Sequence, residues 1–363
     1  MVFKISSDWL NRFLKVAEKL IGNIDPSFKK INFYHDNGNL KAFVTDGCIK
    51  FETPVINLMG LPYDFIIPLE PLKLILKDEK SEFVKFELKE KQVVVNFGNQ
   101  TLALPTPDKV NRWENSRKNT EIFEWKLSEL VKLLDIGSIV CREEDYVTLN
   151  IEKDRIVCLG SDGRHIAAGI SMCKTSINNF SGCIPYVSAR HIVKASEGLK
   201  TENISLFISD SGINITLGKA RLMLCYRTPE PFHLKLVEFG TRIISETSDE
   251  KILIKTSDFR KAITKLCSFV KRESVLINCS ITKENMELSS KGESFYYSFK
   301  VPLLKGPEST AILLKFSPLK VRRFLSKSFS EEFVFEIVRK RYVVLKRKKG
   351  DLYMIMRTER LET

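Results

Sequence analysis

Ser161, Asp162 and His165 lie close together in the chain and carry the side-chain types of a hydrolase triad. Such a triad needs a serine hydroxyl, an imidazole base and a carboxylate that orients the base. Three polar residues this close in sequence rarely converge on one reacting atom. We therefore expect Asp162, and Asp46 in the similar Thr45-Asp46-Gly47 segment, to brace turns through side-chain to backbone hydrogen bonds.

A second candidate is the acidic run Glu143-Glu144-Asp145, which together with Asp162 has the ligand types of a metal-dependent nuclease. A solvated loop before a strand is the favoured interpretation of this run. The chain has no Walker loop, no Gly-x-Gly-x-x-Gly and no Gly-x-Ser-x-Gly segment, and its four histidines show no metal-ligand spacing. We predict no catalytic residue, no metal and no cofactor, so a nuclease remains only an alternative.

The eight cysteines include no Cys-x-x-Cys pair, and most lie in apolar, strand-like runs. We predict free, buried thiols in a reducing cytoplasm.

Basic residues offer another kind of chemistry. The chain has 363 residues with 58 Lys or Arg against 45 Asp or Glu, a net charge of +13. On five of the six predicted helices they recur at i, i+3, i+4 or i+7 and so share one face. The set is Arg12, Lys15, Lys19, Lys73, Lys77, Arg190, Lys194, Lys261, Lys265, Lys320, Arg323 and Lys327. Any surface helix shows some cations, but the recurrence favours contact with phosphates, which is sequence-independent and salt-dependent.

The elements that position these residues repeat one plan three times along the chain. Each segment has a short strand, an amphipathic helix, a strand pair, a second helix and further strands. The hydrophobic spacing predicts helices over 7–21, 70–76, 126–136, 188–197, 257–270 and 317–327. The turn-rich segments Pro105-Thr106-Pro107-Asp108 and Pro229-Glu230-Pro231 separate the repeats. The pattern predicts an α+β protein built as a tandem array of similar domains.

The overall composition agrees with a globular α+β protein. Hydrophobic residues make up 43% and charged residues 28%, which excludes wholesale disorder. No apolar run approaches the roughly 20 residues that span a bilayer, and the N-terminus lacks the pattern of a signal peptide. We expect no membrane partner and a cytoplasmic, nucleoid-associated protein.

Two motifs within the threefold repeat resemble bacterial DNA sliding clamps, the β subunit of the replicative polymerase III. Ser161-Asp162-Gly163-Arg164-His165-Ile166 resembles the family's Thr-Asp-Gly-His-Arg-Leu, with Arg and His in swapped order. Leu352-Tyr353-Met354-Ile355-Met356 resembles the family's terminal Tyr-Val-Val-Met-Pro-Met-Arg-Leu, but Arg357 follows without the proline. The resemblance covers the whole chain in order.

The resemblance implies the DNA-clamp fold, with two helices on curved antiparallel sheets in each of three tandem domains. The domains are expected at residues 1–116, 117–244 and 245–363. Two protomers of such a protein form a closed ring, whose helices line a pore for double-stranded DNA. The basic helix residues named above are then the pore residues, and the chain is a homodimeric processivity factor rather than an enzyme.

The resemblance also implies a surface pocket for short peptides of the replicative polymerase, the clamp loader and other clamp-binding proteins. The matching positions are Gly163, Arg164, His165, Ile166, Met354, Ile355 and Met356. Flexible Met and branched aliphatic side chains suit an adaptable apolar pocket. Met354 and Met356 alternate along a strand, however, and core packing explains that alternation equally well.

Two further questions stay open at the level of sequence. The altered C-terminus and the surplus of positive charge favour a clamp-like DNA-binding protein of a phage, plasmid or divergent bacterium, without a replicative role. The basic segment 339–350 reads equally as a nucleic-acid patch and as a polar hairpin that protects an edge strand.

Overall fold

The computed structural model describes residues 2–22, 29–59, 64–76, 81–106, 122–177, 179–199, 201–270, 275–291, 296–308, 312–327 and 330–360. The chain divides into two compact units. Unit 1 consists of Met1–Val131 and Val187–Tyr226, and unit 2 of Lys132–Tyr186 and Arg227–Thr363. The boundaries of the three tandem domains, at 1–116, 117–244 and 245–363, stay a prediction.

The described residues contain seven α-helices, and six of them lie where the hydrophobic spacing predicts them. They are α1 (Ser7–Ile21), α2 (Leu69–Leu76), α3 (Leu127–Gly137), α4 (Tyr186–Ala195), α5 (Pro231–Ser245), α6 (Thr256–Phe269) and α7 (Pro318–Lys327). The exception is α5, which was not predicted and begins at the last residue of the turn-rich segment Pro229-Glu230-Pro231. Pro231 at its first position suits a helix start and marks the signal that was missed.

The first seventeen strands run from the N-terminus to the middle of the chain. They are β1 (Val2–Ser6), β2 (Lys30–Asp36), β3 (Asn39–Thr45), β4 (Ile49–Pro54), β5 (Asn57–Met59), β6 (Phe65–Pro68), β7 (Phe83–Lys89), β8 (Gln92–Phe97), β9 (Gln100–Pro105), β10 (Ile122–Lys126), β11 (Tyr146–Ile151), β12 (Arg155–Ser161), β13 (His165–Met172), β14 (Phe180–Pro185), β15 (Asn203–Ser209), β16 (Gly212–Leu217) and β17 (Ala220–Leu224).

The remaining strands belong to unit 2. They are β18 (Glu250–Lys255), β19 (Ile277–Ile281), β20 (Asn285–Lys291), β21 (Tyr296–Lys305), β22 (Ile312–Phe316), β23 (Glu332–Val338), β24 (Tyr342–Arg347), β25 (Leu352–Arg357) and β26 (Glu359–Arg360). All strand pairings among the described residues are antiparallel, and most join neighbours in sequence.

Both units repeat one sheet order. Unit 1 holds a sheet in the order β6-β2-β3-β4-β17-β16-β15-β10 and a second sheet in the order β5-β1-β7-β8-β9. The sheet of unit 2 begins β14-β11-β12-β13-β25-β24-β23-β18 and continues β21-β20-β19-β22-β26. The pairing of β4 with β17 therefore corresponds to the pairing of β13 with β25. This agreement displays the repetition that the sequence pattern predicts.

Each unit has an apolar core between its sheets and helices. In unit 1, the rings of Phe3, Phe33, Phe65 and Phe86 stack or tilt against one another and are fully buried. In unit 2, α6 and α7 pack their apolar faces on the sheet, with Phe259 and Phe324 fully buried. None of the described helices is long and apolar enough to cross a membrane.

Candidate functional site

Asp162 sits in a tight turn between β12 and β13. Its carboxylate accepts the backbone N–H groups of Arg164 (3.0 Å) and His165 (2.8 Å), and the Ser161 hydroxyl accepts that of Gly163 (3.0 Å). Thr45-Asp46-Gly47 repeats this arrangement in unit 1, where Asp46 accepts the N–H of Cys48 at 2.8 Å. Gly47 and Gly163 have φ of 91° and 83°, which glycine adopts without a Cβ clash. The prediction that both aspartates brace turns is confirmed.

The Asp162 carboxylate also holds a buried polar cluster. His165 Nδ1 lies 3.1 Å and Lys320 Nζ 3.6 Å from the carboxylate, and Lys320 donates to the carbonyl of Val140 at 3.0 Å. Burial by itself raises the pKa of Asp162, but the hydrogen bonds from His165 and Arg164 outweigh it and lower that pKa below its ordinary value. The carboxylate is therefore ionised and engaged on several sides.

Lys320 was predicted to face DNA, and this prediction is wrong. Its side chain is only 3% exposed, because the first turn of α7 points it inward towards Asp162. In unit 1, His191 of α4 lies near the other turn aspartate, with its Nδ1 3.9 Å from Asp46. A helix side chain with a nitrogen near the turn aspartate thus occurs in both units, and helical spacing alone did not distinguish Lys320 from a surface cation.

A cavity of about 560 Å³ opens beside this cluster within unit 2. Among the described residues, its polar wall is mostly basic and contains one carboxylate, that of Asp162, while Leu276 and Phe316 supply apolar surface. The lining residues are Arg142, Asp162, Gly163, Arg164, His165, Leu276, Lys315, Phe316, Ser317, Lys320, Arg357 and Thr358. Volumes of about 300–1,000 Å³ are typical of ligand pockets.

Three of the seven residues predicted for a peptide pocket, namely Gly163, Arg164 and His165, line this cavity. Met354 and Met356 do not: both are completely buried in the core of unit 2, so their assignment to a pocket is corrected to core packing.

Ile166 and Ile355 lie on the opposite face of the β13–β25 pair. They pack in a small apolar cluster with Ile243 of α5, beside the half-buried rings of Phe239 and Tyr342. Ile166 is 6% and Ile355 2% exposed, so neither lines the cavity.

Three further cations, Arg142, Lys315 and Arg357, line the cavity and were not predicted from the sequence. Arg142 follows α3, Lys315 lies in β22 and Arg357 ends β25, so strand pairing far apart in sequence brings them together. The one available signal was Arg357, which stands where the sequence leaves the pattern of the sliding clamps.

The remaining basic helix residues are described except Lys77, which lies outside the described residues. Arg12, Lys15, Lys194, Lys261, Lys265, Arg323 and Lys327 are exposed, while Lys19, Lys73 and Arg190 are half-buried. Several have acidic partners: Arg12 pairs with Asp8 (2.6 Å), Lys19 with Glu197 (3.1 Å), Lys73 with Glu18, and Lys327 with Asp135 (2.9 Å). Their role in DNA binding stays a prediction.

The catalytic alternatives gain no geometric support. No hydrogen bond joins Ser161 to His165 in the part of the chain that the structure describes, and the Ser161 hydroxyl instead accepts the N–H of Gly163. In the acidic run, Asp145 accepts the backbone N–H of Arg142 at 2.6 Å. Among the described residues, no three His, Cys, Asp or Glu side chains are placed to hold a metal ion.

The prediction that all cysteines are free is wrong for one pair. Cys48 and Cys225 form a disulfide across the paired strands β4 and β17, with their Cα atoms 4.9 Å apart. The other six are thiols, of which five are buried. Burial raises the pKa of Cys141 to about 12 and also raises the pKa of Cys158 and Cys279, so these thiols stay protonated.

The basic segment 339–350 does not protect a sheet edge, because β24 pairs with β23 on one side and β25 on the other. Its cations are largely paired. Arg339 contacts Glu246, Lys346 lies 2.6 Å from Glu336, Arg347 contacts Asp351, and Lys348 contacts Glu332.

Comparison with known proteins shows which proteins this chain resembles. No protein-family model matches the chain. The chain is 23% identical over 285 residues to the beta sliding clamp of Rickettsia felis, which covers 75% of this chain and 69% of that protein.

Among solved structures, the DNA polymerase III β subunit of Thermotoga maritima matches with a TM-score of 0.84 and 16% identity over 99% of this chain and all of that chain. A putative β subunit of Eubacterium rectale matches with a TM-score of 0.87 and 15% identity over 99% of each chain. A Pseudomonas aeruginosa sliding clamp bound to griselimycin matches with a TM-score of 0.83 and 14% identity over 99% and 100%. The chain has the fold of DNA polymerase III β subunits.

Proposed function

We propose that this chain is a β sliding clamp, a dimeric ring that encircles double-stranded DNA and tethers the replicative DNA polymerase. The observation that carries this proposal is the likeness over the whole chain to β subunits, joined by a sequence match to a beta sliding clamp. The protein acts in the cytoplasm, associated with the nucleoid, as a processivity factor and not as an enzyme. Its partners are duplex DNA, a second copy of itself, the polymerase and the clamp loader.

Two open strand edges support ring closure. β9 ends the five-stranded sheet of unit 1, so its outer edge has no partner strand among the described residues. The part of β21 from Tyr296 to Pro302 pairs with β20 on one side only, since β18 reaches no further than Leu303. Exposed edges of this kind favour pairing with another chain. β9 of one protomer therefore joins β21 of the next.

The repeat predicts the register of this closure. Leu222 lies opposite Phe51 in unit 1, and Met354 lies opposite Ala167 in unit 2. Leu102 occupies the position of Leu222 and Met354 in its hairpin, and Tyr297 occupies the position of Phe51 and Ala167. Leu102 of one protomer is therefore expected opposite Tyr297 of the partner subunit, and the exposed Thr101 opposite the exposed Ser298 of the partner subunit.

DNA contact in such a ring is made through phosphates. The exposed helix cations Lys15, Lys194 and Lys261 supply charge without base-reading geometry. Contacts to phosphate position a protein without sequence preference and weaken with salt, as sliding requires.

The test is a topological one that needs no clamp loader. The double variant Thr101→Cys/Ser298→Cys is oxidised in the presence of a nicked circular plasmid, and Thr101→Cys/Lys300→Cys is the matched out-of-register control. We expect the first variant to give crosslinked dimers that stay on circular DNA in 1 M salt and leave when a restriction enzyme linearises it. Crosslinked rings retained equally on linear DNA, or a protein that stays monomeric at micromolar concentration, would contradict the proposal.

A further inference from the structure

The disulfide of unit 1 joins two strands that are already paired. Cys48 directly precedes β4 and Cys225 directly follows β17, and the N–H of Cys225 donates to the carbonyl of Cys48 at 2.8 Å. The next residue pair along these strands is Ile49 opposite Leu224. Asp46 fixes the junction from the turn by accepting the N–H of Cys48 at 2.8 Å. The backbone therefore holds the two cysteines opposite each other whether or not their sulfurs are bonded.

The corresponding junction in unit 2 forms without a covalent bond. Arg164 and Arg357 occupy the positions of the two cysteines, directly before β13 and at the end of β25. The N–H of Arg357 donates to the carbonyl of Arg164 at 3.3 Å, as that of Cys225 does to Cys48. The fold therefore does not need a disulfide in order to pair these strands, and its reduction leaves the junction assembled.

The two sulfurs of the disulfide are accessible to a small reagent. Cys48 and Cys225 are both half-buried, so part of each residue meets solvent. Cleavage requires a thiolate to reach one of the sulfurs, and accessible disulfides are the ones that exchange.

Most of the other cysteines cannot compete in such an exchange. Five of the six free thiols are buried. Burial raises the pKa of Cys183 and Cys267, as it does for Cys141, Cys158 and Cys279. Because the thiolate is the attacking species, these protonated thiols do not attack the disulfide.

The disulfide lies where two parts of the eight-stranded sheet meet. The strands β6, β2, β3 and β4 come from residues 30–68, and β17, β16, β15 and β10 come from residues 122–224. Among the described strands of this sheet, only β4 and β17 join the two parts, and they pair over four residues each. Reduction therefore leaves a short strand pairing to hold the sheet together at this point.

We propose that Cys48 and Cys225 form a reversible thiol–disulfide switch, which exchanges with small thiols of the glutathione class while the chain stays folded. A thiolate of the small thiol attacks one sulfur, the S–S bond breaks, and the other cysteine leaves as a thiolate that takes up a proton. A second small thiolate then attacks the mixed disulfide and releases the first cysteine, which is protonated in turn. Two small thiols thus pass two electrons and two protons to the protein and become one small disulfide. The reverse reaction, with the small disulfide as oxidant, restores the bond.

The switch controls how easily the junction of β4 and β17 opens. Local opening of a folded protein exposes backbone N–H groups to exchange with solvent. We expect reduction to make hydrogen exchange in β4 and β17 at least tenfold faster, because the covalent crosslink no longer opposes opening. Exchange in β13 and β25, whose junction has no disulfide, should not change.

The experiment follows the full chain in buffers with different ratios of reduced to oxidised glutathione. Acid quenching, alkylation and mass spectrometry give the fraction of chains that contain the bond between Cys48 and Cys225. We expect this fraction to follow the ratio and to reach the same value from oxidised and from reduced protein. The rate of reduction should change by less than about threefold between 0 and 1 M urea, because the folded chain reacts and no unfolding is needed.

Two variants serve as controls. Cys48→Ser/Cys225→Ser should show the fast hydrogen exchange of the reduced protein at every glutathione ratio. Cys173→Ser, which removes a half-buried thiol outside the disulfide, should keep the full response of the wild type. Circular dichroism of the reduced wild type should match that of the oxidised protein.

Four outcomes overturn the inference. They are a bonded fraction that does not change with the glutathione ratio, a rate of reduction that rises more steeply with urea, loss of the folded circular dichroism on reduction, and equal hydrogen exchange in the two redox states. The measurements contain no DNA and no partner protein, so their result is independent of the proposed function.

Discussion

Lys320 is a cation in the interior of unit 2, held between the carbonyl of Val140 and the carboxylate of Asp162. Burial of a charge is tolerated only when a partner compensates it. Its neighbour Arg322 is exposed on the same helix. The sequence spacing placed Lys320 on the basic face of the helix. Spacing shows where a residue projects around the helix axis, but it does not show how deeply that end of the helix is buried.

The replacement Lys320→Met is expected to lower the free energy of unfolding by about 3 kcal/mol, because it leaves the Asp162 carboxylate buried with one partner fewer. The matched replacement Arg322→Met, at an exposed position of the same helix, should change it by about 0.5 kcal/mol or less. Urea unfolding followed by circular dichroism measures both. Equal effects of the two replacements would show that Lys320 is not a buried structural cation.

Among single residues, the turn aspartates were the most predictable. Asp46 and Asp162 stand beside glycine after a strand, and that local pattern is enough to predict a braced turn. The cavity cations were not predictable, since Arg142, Lys315 and Arg357 meet only through long-range strand pairing. Met354 and Met356 fit either a pocket or a core, and the burial of their strand decides for the core.

At the scale of elements, helices with strong periodicity were predicted well, whereas several strands were not predicted. α1 begins and ends at the predicted residues, because its apolar stripe is regular and Ser6 caps its first turn at Trp9. β13, β14 and β17 were not predicted: β14, for example, contains Ser, Gly and Pro, and its pairing with β11 decides its structure. Sheet order across the repeats was likewise not readable from local pattern.

The strand junction of β4 and β17 carries the disulfide of Cys48 and Cys225, which closes a long loop of the chain. The double replacement Cys48→Ser/Cys225→Ser is expected to lower the free energy of unfolding by about 2–4 kcal/mol, because the unfolded chain loses a constraint. Dithiothreitol should lower the melting temperature of the wild type and leave that of the double variant unchanged.

Cys173→Ser serves as the control, since it removes a half-buried thiol that is not part of the disulfide. Alkylation of the denatured, unreduced protein followed by mass spectrometry counts the thiols directly. Six modified cysteines agree with one disulfide, whereas eight would contradict it.

At the scale of the whole molecule, the chain has a net charge of +13. Some of its cations lie beside acidic partners, and others are exposed on helices. The hairpin cations of 339–350 are largely paired, whereas Lys15, Lys194 and Lys261 are exposed on helices. If the helices face DNA, the location of each lysine matters more for DNA binding than the total number of lysines. Composition alone could indicate a polyanion partner but not which surface meets it.

The triple replacement Lys15→Gln/Lys194→Gln/Lys261→Gln should reduce the salt dependence of binding to a short linear duplex. The slope of log K against log salt is expected to fall by about one for each lysine that contacts a phosphate. Fluorescence anisotropy from 25 to 200 mM salt, roughly the range in which such contacts are screened, measures the slope.

The control Lys219→Gln/Lys283→Gln/Lys349→Gln removes the same charge from exposed turns between strands. An equal loss of slope in the two variants would mean that the helices are not the DNA-facing surface, and that only net charge attracts the duplex.

The disulfide also gives the two repeated junctions different resistance to force. A load that pulls β4 away from β17 meets a covalent bond at Cys48 and Cys225 once the backbone hydrogen bonds yield. A load that separates β13 from β25 is resisted only by hydrogen bonds and side-chain packing, and the like charges of Arg164 and Arg357 at this junction weaken the pairing. Under tension, the junction in unit 2 is therefore the weaker of the two.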